Sequence, residues 1–379
     1  MRHKHIITAV LLLLLSHSAI GQISTFEWQG RQREFFVHVP NSSSPMPVMF
    51  CLHHLGGNAM DIVQMLHLVR MSEQNGWIVV APQALPASAA GMNLGTMWNA
   101  GLTVQLNGQT ISPNSDIDDA GFLMALLDSM ETAYNVNADS VFFCGFSMGG
   151  FMTHRMAIEH GDRMAAAVAV SGLITIPMSQ QTPVAPVRLL HIHGTNDNVV
   201  RTDGSSNAFG GPMQLGLSVA DVIRYWIDNN NCSGTATVEN LPDRVLDGLR
   251  FVRRTYSGGE ADVQWLEVIG GQHTWYGDTA EYDIDYLTEI LAFLTGRQTT
   301  YGIREVAAAA ATAYPNPCTG TLTLSASQPG EIKLLDMFGR TVLQTPVTAG
   351  TVDIDVRTLP RGIYVLRQPN APAQRIVLH

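Results

Sequence analysis

Val141-Phe142-Phe143-Cys144-Gly145-Phe146-Ser147-Met148-Gly149-Gly150 is the stretch that decides the fold. Its first four residues are apolar throughout, as in a strand buried on both faces. A helical spacing then begins, with Met148, Met152 and Met156 four apart and Gly161 as the expected stop. Between strand and helix stands G-x-S-x-G. A chain that reverses from strand to helix within one residue strains that residue, and glycines on both flanks leave space for the turn. The hydroxyl of Ser147 is then held out of the sheet at the positive end of a helix. Five matching letters alone occur by chance. Their placement between a buried strand and a helix marks Ser147 as a nucleophile.

Working outward, residues 23–39 read as two extended stretches around Gln29-Gly30-Arg31, an opening hairpin. Residues 47–53, 77–81, 140–144, 165–170, 187–192 and 263–269 read as buried strands. Residues 61–74, 117–134, 148–159, 219–229 and 282–294 carry helical spacing, and residues 82–113 read as a polar, Gly-rich loop region. The alternation predicts an α/β fold, a mostly parallel sheet with helices on both faces.

Ser147 needs a base. In this kind of sheet the order along the chain is nucleophile, acid, histidine. Asp197 follows the strand ending Leu189-Leu190-His191-Ile192-His193-Gly194, at the carboxyl edge where ligands bind. Its expected role is to hold the imidazole in one tautomer, with Asp203 as the competing carboxylate. Among 13 histidines, His273 alone lies after the last buried strand and before the last helix, in Gly270-Gly271-Gln272-His273-Thr274-Trp275. It is the expected general base. His191 and His193 read as strand-end residues. A His-x-His metal pair is the alternative for them, but no third ligand is evident nearby. For the developing oxyanion, Met148 supplies one backbone N–H, and Leu55, with His54 as alternative, supplies the other. Trp98, Trp275, Tyr276, Met97 and Met92 are candidates for an apolar substrate pocket. No cofactor and no metal is implied.

The chain has 379 residues and a formal charge of −10, with no basic run beyond its first residues. That excludes a nucleic-acid partner, which needs clustered Lys and Arg. Arg2 and Lys4 precede an apolar run over residues 6–15, and Ala19-Ile20-Gly21 follows, so residues 1–21 read as a secretory signal cut after Gly21. The run is too short to span a bilayer, and no later stretch is long and apolar enough. Cys51 and Cys144 sit in apolar strands as buried thiols; Cys232 and Cys318 complete the four, with no framework spacing. Residues 299–313 are an Ala-rich linker. From residue 314 short alternating strands at 322–325, 331–335, 341–343, 352–356 and 363–367 read as a small all-β sandwich.

Leu52-His53 with Gly56-Gly57-Asn58, Trp98-Asn99, Asp118-Asp119-Ala120-Gly121-Phe122, the Ser147 turn, His193-Gly194-Thr195-Asn196-Asp197 and Gly271-Gln272-His273-Thr274-Trp275 form a set. As a set they resemble secreted polyhydroxybutyrate depolymerase-like and feruloyl esterase-like α/β hydrolases of carbohydrate esterase family 1. The resemblance implies an α/β-hydrolase domain over residues 22–298 and Ser147, Asp197 and His273 as triad. It implies hydrolysis of a carboxylic ester through an acyl-enzyme, first of a polyester or hydroxyalkanoate, alternatively of feruloyl or acetyl-xylan esters. A peptidase of the prolyl-oligopeptidase type lacks support, since no propeller-like repeat is present. A binding protein that kept the fold would not need all three side chains. Two departures stand out. Where the family carries Gly, this chain has His54, and the residues Tyr256-Ser257-Gly258-Gly259 lack the Cys that often pairs near Cys232.

The tail resembles the C-terminal sorting domain of type IX secretion substrates in Bacteroidetes. The matching residues are Tyr314-Pro315-Asn316-Pro317, Leu335-Asp336-Met337-Phe338-Gly339-Arg340 and Leu359-Pro360-Arg361-Gly362-Ile363-Tyr364-Val365. That resemblance implies export through the type IX machinery, with residues 314–379 as the address; a carbohydrate-binding β module is the alternative.

Overall fold

A computed structural model describes residues 21–89, 92–106, 109–207, 213–245, 247–277, 282–297, 299, 313–326, 330–336, 340–348, 350–368 and 371–379. The expected signal segment and most of the Ala-rich linker lie outside the described residues.

The chain divides into two compact units, residues 1–299 and 300–379. The first is built on ten strands: β1 (Gln22–Trp28), β2 (Arg31–His38), β3 (Met46–Leu52), β4 (Ile78–Pro82), β5 (Val136–Phe146), β6 (Ala166–Val170), β7 (Arg188–Gly194), β8 (Thr237–Asn240), β9 (Arg250–Tyr256) and β10 (Val263–Ile269). Their order in the sheet is β1-β2-β4-β3-β5-β6-β7-β10-β9-β8. The six central strands from β4 to β10 are mutually parallel. The pairs β1–β2 and β9–β8 add antiparallel edges. Gln29 and Gly30 both take positive φ, the two-residue turn that matches strand twist, so β1 and β2 close as the expected hairpin.

Strands β3 and β6 are almost wholly apolar and buried, because helices cover both sheet faces. These helices are α1 (Ala59–Met65), α2 (Leu68–Asn75), α3 (Asp119–Ala133), α4 (Met148–His160), α5 (Val219–Asn229) and α6 (Tyr286–Thr295). The core cluster joins Phe50, Phe143 and Val80 of the sheet to Phe122, Leu126, Met152 and Trp226 of the helices.

Several expectations need correction. The helix read over residues 61–74 is two helices, because His67 takes a left-handed φ of 47° and breaks the run. Asn58 starts the first with a capping box to Asp61, and Gly76 at φ 70° ends the second. Gly161 is the stop of α4 as expected, but not in a left-handed cap; at φ −59° it leads into a short 3-10 turn, Gly161–Arg163. The helix expected from residue 282 begins at Tyr286, capped by Asp285. Within the region read as loop, Pro86–Ala89 pairs with Met92–Thr96, and Val104–Leu106 pairs with Gln109–Ile111. Strands β8 and β9 carry no clear alternation and went unread.

The second unit contains β11 (Ala313–Tyr314), β12 (Thr321–Ala326), β13 (Gly330–Leu335), β14 (Thr341–Val347), β15 (Gly350–Asp355), β16 (Gly362–Gln368) and β17 (Ala371–Leu378). They form two antiparallel sheets, β11-β12-β15 and β14-β13-β16-β17. Leu322, Leu324 and Ile354 from the first sheet and Ile332, Leu366 and Ile376 from the second share one buried cluster. This is a β domain, in which β11 and β17 are additional to the five strands the sequence pattern predicts.

Candidate active site

Ser147 joins β5 to α4 at φ 55° and ψ −119°, a conformation of neither element. Its N–H donates to the Val170 carbonyl at 2.8 Å, which ties the turn to β6. The flanking glycines are sterically required. A methyl at Gly145 would run into the Gly149 carbonyl, and one at Gly149 would meet the Leu52 and His53 carbonyls. The helix start therefore packs directly on the end of β3.

Ser147 Oγ lies 2.9 Å from His273 Nε2, and His273 Nδ1 lies 2.7 Å from Asp197 Oδ2. A carboxylate only accepts, so Nδ1 carries the ring hydrogen and Nε2 is free to accept from the serine hydroxyl. Asp197 is fixed in turn: its Oδ1 accepts from Val199 N–H at 3.0 Å and Val200 N–H at 2.8 Å. Burial pushes the Asp197 carboxyl up, but the His273 hydrogen bond, the adjoining His273 and His193 rings and the Val200 N–H outweigh it, holding it below its ordinary value. Asp203, the competing carboxylate, is exposed and accepts from Ser205 instead.

The start of the loop carrying His273 is tied down twice. Asn196 N–H donates to Gly271 O and Gly270 N–H donates to Thr195 Oγ1, each at 2.9 Å. The His273 ring stacks on Phe146 with centroids 5.2 Å apart, and Trp275 stands edge-on to the same Phe146 at 6.2 Å. Trp275 is half-buried, so part of its ring is open to a substrate.

Met148 is the first residue of α4, so its N–H is one of the donors a helix leaves unpaired. His54 and Leu55 follow His53 just beyond β3 and are half-buried. The His54 ring lies over Gly57, stands edge-on to Phe146 at 6.0 Å, and is pushed below its ordinary pKa, chiefly by burial.

Three of the candidate pocket residues are placed differently. Trp98 and Met97 are 0% and 1% exposed and belong to the core. Tyr276, 4% exposed, accepts from Gln272 N–H through its hydroxyl at 2.9 Å and braces the His273 loop rather than facing solvent. Packing in three dimensions, which adjacency to a motif does not encode, sets these positions. The Met92 side chain lies outside the described residues. His191 and His193 are fully buried, and His193 Nε2 donates to Val200 O at 2.8 Å. Among the described residues, no group of three or more His, Cys, Asp and Glu is arranged to hold a metal. All four cysteines are free thiols.

Comparison with known proteins agrees with this architecture. Residues 33–208 match the Phospholipase/Carboxylesterase family model, and residues 312–377 match the secretion system C-terminal sorting domain. A putative esterase of Nocardia uniformis subsp. tsuyamanensis is 26% identical over 266 residues, 67% of this chain and 73% of that protein. Feruloyl esterase C of Emericella nidulans is 27% identical over 248 residues, covering 63% of this chain and 76% of the relative. A bifunctional acetylxylan esterase/xylanase of Neocallimastix patriciarum is 26% identical over 242 residues, covering 62% of this chain but 32% of that protein. The chain is a carboxylic ester hydrolase of the α/β-hydrolase fold. It also carries a type IX secretion sorting domain at its C-terminus.

Proposed function

We propose that this chain is an exported serine esterase in which Ser147 is the nucleophile, His273 the general base and then acid, and Asp197 the group that orients the imidazole. The observation that carries this reading is the unbroken series from Ser147 Oγ through His273 to Asp197, at 2.9 and 2.7 Å. Ser147 Oγ attacks the ester carbonyl carbon while His273 Nε2 takes its proton. The tetrahedral oxyanion is met by the N–H groups of Met148 and Leu55. Collapse expels the alcohol, which leaves with the proton from His273, and water repeats the sequence to release the acid.

The substrate we infer is an ester on a plant cell-wall polysaccharide, feruloyl or acetyl. The names of the relatives favour it, and so does the half-buried Trp275 ring, which stands edge-on to the Phe146 ring that stacks with His273. A polyester or hydroxyalkanoate is the second reading, carried by the family resemblance of the motifs. Export through the type IX machinery, after a signal over residues 1–21, would bring the enzyme to such polymers outside the cell. Purified protein assayed on methyl ferulate, acetylated xylan and a hydroxybutyrate oligomer separates the readings. Higher kcat/KM on either of the first two is expected; turnover of the oligomer alone would overturn the polysaccharide reading.

A further inference from the structure

His53 is fully buried at the end of β3, one residue before the loop expected to bind the oxyanion, and the reaction as drawn gives it nothing to do. Both of its ring nitrogens have partners that permit one role each. Nδ1 lies 2.8 Å from the His54 carbonyl oxygen, which can only accept, so Nδ1 carries the hydrogen. Nε2 accepts from Ala84 N–H at 3.0 Å, so it carries none. The Gln83 amide also faces Nε2, at 3.3 Å, while its oxygen accepts from Ala59 N–H, which fixes the amide the same way round. The neutral ring is thus locked in one tautomer and packs, tilted by 43°, against Trp98 with centroids 5.1 Å apart. Trp98 adds a second lock: its Nε1–H donates to the His53 carbonyl at 2.9 Å.

These two bonds pin two consecutive peptide planes. In a trans peptide the N–H points opposite to the C=O of the same plane. The cis bonds among the described residues lie at Tyr314-Pro315 and Asn316-Pro317, so both planes here are trans. Holding the His53 carbonyl on Trp98 therefore fixes the direction of the His54 N–H. Holding the His54 carbonyl on His53 Nδ1 fixes the direction of the Leu55 N–H. We propose that His53 and Trp98 are positioning residues that orient the backbone donors of the oxyanion loop. The inference rests on the serine esterase reading and adds to it the means by which the loop is preorganised. It also gives Trp98 a function that its burial denies it as a pocket wall.

The test uses the full chain with His53→Gln, His53→Asn and Trp98→Phe, assayed on p-nitrophenyl acetate, with the reactive serine titrated by an organophosphonate. Gln places an acceptor near the old Nε2 and serves Ala84, but has no donor at the Nδ1 position. Asn places its amide N–H near the old Nδ1 and can hold the His54 carbonyl. For His53→Gln, kcat is expected to fall about tenfold to a hundredfold, less than the roughly 10²–10³ lost when an oxyanion donor is removed outright, with KM within about threefold. His53→Asn should recover most of that loss. Trp98→Phe, which keeps the ring and removes only the donor, should lower kcat with KM little changed. Equal losses in Asn and Gln, or no loss in Gln, would overturn the clamp. If His53→Gln does not fold, an unchanged kcat in Trp98→Phe overturns it. An unmodified protein that the organophosphonate fails to label would instead sink the serine reading beneath it.

Discussion

At the scale of single residues, Ser147 Oγ and Asp197 Oδ2 both lie within hydrogen-bonding distance of His273, which is 126 and 76 residues away along the chain. Ser147, Asp197 and His273 were singled out by their positions after successive strands, and they meet within hydrogen-bonding distance. That order survives because strand ends of a parallel sheet share one edge. Trp98, Met97 and Tyr276 were singled out by nearness to the same motifs and are buried. Whether a ring faces solvent depends on partners far along the chain, such as His53 for Trp98. The locked tautomer of His53 was illegible for the same reason, since Ala84 lies 31 residues away. The account predicts that Asp197→Asn lowers kcat by about 10⁴ while leaving the fold intact. An amide in that place no longer selects the productive imidazole tautomer. Steady-state kinetics with a thermal melt of the same sample checks both halves.

At the scale of elements, the parallel strands were readable because each is an uninterrupted apolar run bounded by a change of period. The edges were not. Strand β9 reads Arg250-Phe251-Val252-Arg253-Arg254-Thr255-Tyr256; Arg253 pairs with Glu239 of β8 and Glu289 of α6, and Arg254 with Glu267 of β10, so charges that suggest a loop are satisfied by tertiary partners. The break between α1 and α2 carries no Gly or Pro; His67 makes it by adopting a left-handed φ. One contact between elements is invisible in sequence and structurally decisive. Arg33 of β2 donates to Asp119, the first residue of α3, at 2.6 Å, and both are buried; Asp119 also accepts from Asn99 N–H at 2.7 Å. Removing one partner leaves a charge stranded in the core. Asp119→Ala should therefore destabilise the fold by about 3–5 kcal/mol, read as a shift of the urea midpoint.

At the scale of the whole molecule, the first unit holds a group of buried neutral histidines that links its stability to pH. Burial, above all else, pushes His53 down to about 4 and His154 down to about 3, from an ordinary value of 6.5. His191, stacked between His154 and His193 with centroids 5.5 and 5.4 Å away, is likewise pushed well below its ordinary value, chiefly by burial. The unfolded chain takes up these protons first, so stability is full above pH 6.5 and falls progressively as pH drops toward 4 and 3. Urea midpoints at pH 7 and pH 4.5 should differ markedly, and a flat profile would contradict the burial of these rings. The second unit matches a sorting domain, while Ser147, Asp197 and His273 all lie in the first. The central claim about the molecule is that one hydroxyl, on the turn between β5 and α4, forms the covalent intermediate. Peptide mapping after reaction with a fluorophosphonate tests it most directly. The account predicts a single adduct on Ser147, abolished by Ser147→Ala. An adduct on any other residue, or none on a folded and active enzyme, would contradict it.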